Sequence, residues 1–126
     1  MISLHHMQVA CPPGGEEDAR RFYANALGLT EVDKPADLVG RGGAWFRAYD
    51  ERGEVSAEIH VGVEEPFTPA RKAHPAFLVD DLDRVAASVR AAGFDVDESQ
   101  RHTFPGYLRF HTHDGAGNRV EVLRRR

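Results

Sequence analysis

The chain has 126 residues, of which 41% are hydrophobic and 29% charged, and this balance is typical of one soluble globular domain. Its formal net charge of −4, with a basic cluster only at Arg124, Arg125 and Arg126, argues against nucleic acid as a partner. No apolar run approaches the roughly 20 residues that span a bilayer, no secretion signal is present, and a lone Cys11 precludes an internal disulfide, so we expect a cytoplasmic protein.

The first half of the chain predicts a strand, a helix and then three more strands. Residues 2–11 have the mixed apolar character of a strand, which the following Pro-Pro-Gly-Gly segment ends. Apolar residues recur at helical spacing from Ala19 to Ala26, and Gly28 is placed to end that helix. Shorter strands are expected at 29–32 and 44–49. Residues 55–63 alternate as a long strand, which places Glu58, His60 and Gly62 on one side.

The second half repeats this order after a proline-containing connector at residues 64–72. Strands are expected at four places, residues 74–79, 94–96, 107–113 and 119–123. A helix with Leu82, Val85, Ala86 and Val89 on one face is expected to end at Gly93. The sequence therefore predicts an α+β domain of two βαβββ modules, at about residues 1–65 and 72–126.

Several short segments, in this order and spacing, carry a resemblance to a known family. They are Leu4 to Ala10, Phe22-Tyr23, Leu27-Gly28-Leu29, Ala57 to Val61, His74 to Leu82 and Asp114 to Leu123. Together they resemble the vicinal oxygen chelate superfamily, which contains glyoxalases, bleomycin resistance proteins and extradiol dioxygenases. The resemblance spans nearly the whole chain, and it implies a curved mixed sheet around a cleft with the helices outside.

The resemblance also implies a divalent metal site. Metal-dependent members take one ligand from the first and one from the last strand of each module, which here are His6, His60, His74 and Glu121. Imidazole and carboxylate ligands suit Zn, Ni, Co, Mn or Fe, and the sequence does not select among them. His5 and His6 face opposite sides of a strand, and we assign the inward position to His6.

Further polar and aromatic residues are candidates for the same cleft. Glu58 shares a strand face with His60 and either supports that ligand or replaces it. Arg109 and His111 share one side of their strand and are placed to bind an anionic oxygen of a substrate, although a solvated sheet face explains them equally well. Trp45 is expected to form an apolar wall.

The leading functional hypothesis is a glyoxalase-like lyase or isomerase that chelates a small substrate through two adjacent oxygens. The metal would polarise a carbonyl, and Glu121 would act as the catalytic residue that moves a proton between carbons. One alternative is an extradiol dioxygenase with Fe(II) held by His6, His74 and Glu121. Another is a metal-free binding or antibiotic-resistance protein. A homodimer is expected in each case.

Overall fold

The computed structural model describes residues 1–126 and contains two mixed sheets covered by helices. The first sheet has the strand order β1-β4-β3-β2, and the second has the order β5-β7-β6. The strands are β1 (Met7–Cys11), β2 (Thr30–Val32), β3 (Ala44–Tyr49), β4 (Val55–Val63), β5 (Ala76–Leu78), β6 (Tyr107–His113) and β7 (Arg119–Arg125). The predicted α+β class is confirmed, and no sheet closes into a barrel.

Both sheets are built by the same rule. In each, the first strand of the half pairs in parallel with the last strand, β1 with β4 and β5 with β7. The remaining pairs are antiparallel, β3 with β4, β2 with β3, and β6 with β7. First and last strands are therefore neighbours in each half, which brings side chains far apart in sequence onto one sheet face.

Helices cover one face of the sheets, the face that carries the apolar side chains. They are α1 (Glu16–Arg20), which continues into π-helical turns over Arg21–Ala26, and α2 (Leu82–Ala91), with a 3-10 segment at Ala36–Arg41. Asp81 caps α2 by accepting a hydrogen bond from the Arg84 backbone N–H. The side chains between helices and sheets are fully buried and include Phe22, Tyr23, Phe46, Val89, Phe110 and Val122. No helix has both the length and the apolar character needed to cross a membrane.

Three predicted strands differ most from those observed. The first strand starts at Met7 instead of residue 2, and residues 1–6 are exposed. The strand predicted at 74–79 is limited to Ala76–Leu78, because Pro75 lacks a backbone donor and His74 bonds to the preceding loop. The strand predicted at 94–96 is absent. Only Asp97 pairs with β6, through two backbone bonds with His111 of 2.8 and 2.9 Å.

A buried polar network joins the two halves. The Tyr23 hydroxyl donates to Asp114 Oδ2 at 2.6 Å, and the Asn118 amide donates both to that oxygen at 3.0 Å and to the Ala10 carbonyl at 2.7 Å. Asn118 Oδ1 in turn accepts from the Ala70 backbone N–H. The π-helical turns, β1, the connector and the last turn are thus held by one cluster of polar atoms.

Candidate functional site

The helix-free face of the first sheet carries an aromatic stack centred on His60. Gln8, His60 and Trp45 are partners in the strand register, so His60 lies in the middle of the sheet. The Trp45 ring lies on one face of the imidazole, with centroids 3.7 Å apart and an interplanar angle of 1°. The His6 ring also stacks on His60, at 4.0 Å and 19°. His5 contacts only His6 in this group, so the structure places His6 nearer to the sheet face.

Glu58 connects this stack to an arginine. One carboxylate oxygen lies 2.6 Å from His60 Nε2, and the other accepts from Arg47 Nε at 2.7 Å. Burial by itself would raise the pKa of Glu58, but the hydrogen bonds from His60 and Arg47 outweigh it and lower the pKa. Burial lowers the pKa of His60, and the neighbouring His6 lowers it further. At neutral pH, Glu58 is therefore charged and His60 neutral, which leaves His60 Nδ1 as a lone-pair donor.

A second polar cluster lies on the helix-free face of the second sheet, around one oxygen of Glu121. His74 Nε2 lies 3.0 Å from Glu121 Oε1, Arg109 Nη1 donates to the same atom at 3.3 Å, and His111 Nε2 lies 3.5 Å from it. Glu121 and His111 are each only 5% exposed. A buried carboxylate oxygen therefore faces three nitrogen-bearing side chains.

The hydrogen bond made by the other ring nitrogen of His74 determines which of its two nitrogens carries the proton. His74 Nδ1 lies 2.7 Å from the Lys72 carbonyl oxygen, which can only accept, so Nδ1 carries the proton. In a neutral imidazole Nε2 then has a lone pair, and a lone pair directed at a carboxylate oxygen is repulsive. The arrangement is stable when Nε2 binds a second proton or when it shares a cation with Glu121. A backbone carbonyl bonded to the outer nitrogen is also the usual support of a metal-binding histidine.

His111 is a further potential ligand in this cluster. Its Nδ1 is buried without a hydrogen-bond partner, and burial lowers the pKa of its ring, followed by the positive charge of Arg119. The ligand atoms of His74, His111 and Glu121 all lie within 4.8 Å of one another, a spacing that suits a single cation. The donor set of two imidazoles and one carboxylate therefore fits a transition-metal ion.

A cavity of about 480 Å³ is lined by residues from both halves of the chain. Its walls include His6 and Glu58 from the first half and His74 from the second, with Leu4 and Val55 among the apolar residues. Small-molecule sites have volumes of roughly 300–1,000 Å³, so the cavity has the size of such a site.

The structure thus divides the predicted site residues into two groups, of which His6, Glu58 and His74 line one cavity. His6, His60, Glu58 and Trp45 belong to the first sheet, whereas His74, Glu121, Arg109 and His111 belong to the second. Convergence of His6, His60, His74 and Glu121 on one ion stays a prediction. Sequence analysis missed Arg47, although its place opposite Glu58 follows once β3 and β4 are paired in register.

Comparisons with known proteins agree with this architecture. A family model described as the Glyoxalase/Bleomycin resistance protein/Dioxygenase superfamily matches residues 4–122. The fold is also similar to that of a protein from Bacillus anthracis assigned to the glyoxalase family, with 38% identity, a TM-score of 0.88, and coverage of 100% of this chain and 97% of that one. Among curated proteins, none matches this sequence.

Two more distant structures share the fold. A fosfomycin resistance protein from Listeria monocytogenes has 14% identity and a TM-score of 0.71, over 97% of this chain and 91% of that one. An antibiotic-binding protein from a Streptomyces species has 20% identity and a TM-score of 0.68, over 100% and 99% of the two chains. At these identities the likeness shows a common fold.

Proposed function

The chain belongs to the Glyoxalase/Bleomycin resistance protein/Dioxygenase superfamily, and on this premise we propose that it is a divalent-metal-dependent, glyoxalase-like lyase or isomerase. Its substrate would be a small molecule bound through two adjacent oxygens. The supporting observation is the cluster around Glu121 Oε1, in which an imidazole with its outer nitrogen already bonded faces a buried carboxylate at 3.0 Å.

The metal would be held by His74 and Glu121, with His6 and His60 approaching from the other side of the cleft. His111 joins the set of potential ligands because its Nε2 lies 3.5 Å from Glu121 Oε1. Glu58 supports His60 by the bond to Nε2 and is the substitute ligand if His60 stays stacked. When bound, the ion would act as a Lewis acid on a substrate carbonyl and its neighbouring oxygen.

The protein side chains would supply the proton transfer and the binding surface. Glu121 is the proposed catalytic residue, accepting a proton from one substrate carbon and returning it to the next. The stacked rings of Trp45 and His60 would offer a flat wall, and Arg109 or His111 would contact an anionic oxygen of the substrate.

A metal-free binding protein is the second candidate function. It is favoured by the internal pairing of the carboxylates, because Glu58 is already bonded to Arg47 and His60, and Glu121 is bonded to Arg109. The stack of Trp45 on His60 offers a surface for a planar ligand. An extradiol dioxygenase with Fe(II) on His6, His74 and Glu121 remains the alternative enzyme, and iron as the bound metal would favour it.

Metal content separates these candidates. Purified wild-type protein is expected to hold a stoichiometric divalent ion after supplementation, and His74→Ala and Glu121→Ala are expected to lose it. His113→Ala is the matched control, because His113 lies on the same strand as His111 but is exposed and bonded to Asp95. Absence of metal in the wild type would favour the binding protein, and retention in both site variants would refute the ligand assignment.

We further propose that the active form is a homodimer. Leu4 and Val55 line the cavity yet remain 84% and 47% exposed, which is unfavourable for large apolar side chains unless another surface covers them. Light scattering coupled to size exclusion is expected to give twice the monomer mass. A monomer at micromolar concentration would contradict the dimer without affecting the metal proposal.

A further inference from the structure

Arg109 connects the Glu121 cluster to a neighbouring loop. Its guanidinium donates from Nε to the Gln100 carbonyl at 3.3 Å and from Nη2 to the Thr103 hydroxyl at 2.8 Å, and its Cζ lies 5.5 Å from the Phe104 ring centroid. The third nitrogen, Nη1, donates to Glu121 Oε1. All three guanidinium nitrogens are therefore engaged, one with the carboxylate and two with residues 100–104.

The loop at residues 98–106 follows the segment 94–96, where the predicted strand is absent. After the single pair between Asp97 and His111, the backbone is held by short-range turns, such as Arg101 N to Glu98 O, and by one further bond to β6, from the Arg109 N–H to the Arg101 carbonyl at 3.3 Å. Residues 102–106 are exposed. The hydrogen bonds from the Arg109 guanidinium add to the contacts that hold this loop. Ion pairs of Arg101 with Asp83 and Glu98 hold the start of the loop, and the contacts at Gln100 and Thr103 come from a side chain that also bonds to Glu121.

We propose that Arg109 is a positioning residue that couples the loop at 98–106 to the Glu121 carboxylate and to whether a cation occupies its Oε1 atom. The metal-dependent part of this proposal rests on the proposed function, because it takes Glu121 as a ligand. The dependence of the loop on the Arg109–Glu121 pair requires no metal. Arg109 is accordingly assigned a role beyond that of an anion-binding residue facing the cavity.

A metal cation and Arg109 Nη1 would compete for Glu121 Oε1, and this competition determines whether metal binding loosens or tightens the loop. A cation on that oxygen occupies the position at which Arg109 Nη1 donates, and it is repelled by the guanidinium charge. Metal binding is therefore expected to weaken the Arg109–Glu121 bond and to loosen the loop. By reciprocity, removal of the guanidinium is expected to raise metal affinity by about tenfold, within the usual range of coupling between sites.

Two substitutions of Arg109 separate its charge from its geometry. Arg109→Met removes both the charge and the three-way contact, whereas Arg109→Lys keeps a positive charge near Glu121 but cannot reproduce the planar fork. Both variants are expected to loosen the loop. Only Arg109→Met is expected to raise metal affinity, and Arg41→Met, which removes an exposed arginine from the other half, is expected to change neither property.

The first arm of the test uses protein treated with a chelator, followed by hydrogen exchange of peptides covering residues 98–106. In protein that retains Arg109, Glu121→Gln is expected to increase the hydrogen-exchange rate of these peptides several-fold. In protein that carries Arg109→Met, the same substitution is expected to have no additional effect. Additive effects of the two substitutions, or no change with Glu121→Gln, would overturn the proposed coupling. Circular dichroism of each variant excludes global unfolding as the cause.

The second arm measures Zn²⁺ affinity by competition with a chromophoric chelator. The expected order is Arg109→Met tighter than wild type by about tenfold, with Arg109→Lys and Arg41→Met close to wild type. Equal or weaker binding by Arg109→Met would overturn the competition. If wild type and every variant bind no Zn²⁺, the proposed function fails, while the exchange data still decide whether Arg109 links the loop to Glu121.

Discussion

At the scale of single residues, the site is defined by which nitrogen of each histidine is already bonded. Alternation along β4 predicts Glu58 and His60 on one face, and the structure adds a 2.6 Å contact between them. The bond of His74 to the Lys72 carbonyl was beyond prediction, because it depends on the path of a connector that has no regular pattern. The same holds for Arg109, whose loop contacts follow from irregular turns.

Removal of the Arg47 side chain tests the electrostatics of the first cluster. Arg47→Met leaves Glu58, which is only 7% exposed, without its cationic partner, and a buried carboxylate that loses such a bond is costly. We expect the free energy of unfolding to fall in urea denaturation followed by circular dichroism, by an amount that solvent screening of the partly exposed Arg47 limits. Arg52→Met, on the exposed turn between β3 and β4, serves as the control and is expected to have almost no effect. Equal stabilities of the two variants would show that the Arg47–Glu58 pair contributes nothing.

The depressed pKa of His60 predicts a pH dependence of stability. Burial holds the pKa of His60 in the folded protein below the ordinary value of about 6.5 that applies when the chain is unfolded. Between these two values the unfolded state binds more protons, so the contribution of His60 is fully present above pH 6.5 and is lost as the pH falls through the folded value. In metal-free protein, His60→Gln is expected to flatten the decline in unfolding free energy between about pH 7 and 5. An unchanged slope would contradict the assignment.

At the scale of elements, hydrophobic periodicity located both helices and most of the strands. It did not predict that α1 widens into π-helical turns at Arg21–Ala26, because the spacing of apolar side chains is compatible with either form. It also predicted a strand at 94–96 where Phe94 and Val96 instead pack against the core. Apolar residues in a short segment identify burial, whereas pairing depends on the neighbouring backbone.

Gly43, just before β3, is predicted to be essential for the position of Trp45. Its φ is +85°, and a Cβ there would lie 2.1 Å from the Val61 carbonyl oxygen of the neighbouring strand. Gly53 has a similar φ of +80° but open space around it. Gly43→Ala is therefore expected to cost considerably more stability than Gly53→Ala, for which only the backbone strain of about 1 kcal/mol applies. Thermal unfolding of the two variants checks this order, and similar losses would contradict it.

At the scale of the whole molecule, the order of elements predicted two halves of like architecture, and the structure confirms the α+β fold. How the halves are joined could not be predicted, since the network of Tyr23, Asp114 and Asn118 connects residues up to 108 positions apart. The like architecture of the two halves also does not establish which of the predicted ligands bind the same ion. That depends on distances across the cleft between the two sheets.

The network predicts that Asn118 is central to stability. Asn118→Ala removes bonds to Ala10, Ala70 and Asp114 and leaves buried polar atoms unpaired, so we expect a loss of about 2–4 kcal/mol in urea denaturation. Asn25→Ala, at an exposed position near Tyr23, is the control and is expected to be nearly neutral. In a cycle with Tyr23→Phe, the losses are expected to be less than additive because both residues act on Asp114. Fully additive losses would mean that the two bonds are independent.

The most direct measurement of the central claim is an anomalous difference map from crystals grown with Co²⁺ or Zn²⁺. A peak within about 2.0–2.3 Å of His74 Nε2 and a Glu121 oxygen, facing the cleft toward His6 and His60, is the predicted result. The same map shows whether His60, Glu58 or His111 completes the ligand set. A peak confined to exposed groups such as His113 and Asp95, or no peak at all, would contradict a metal centre in this cleft.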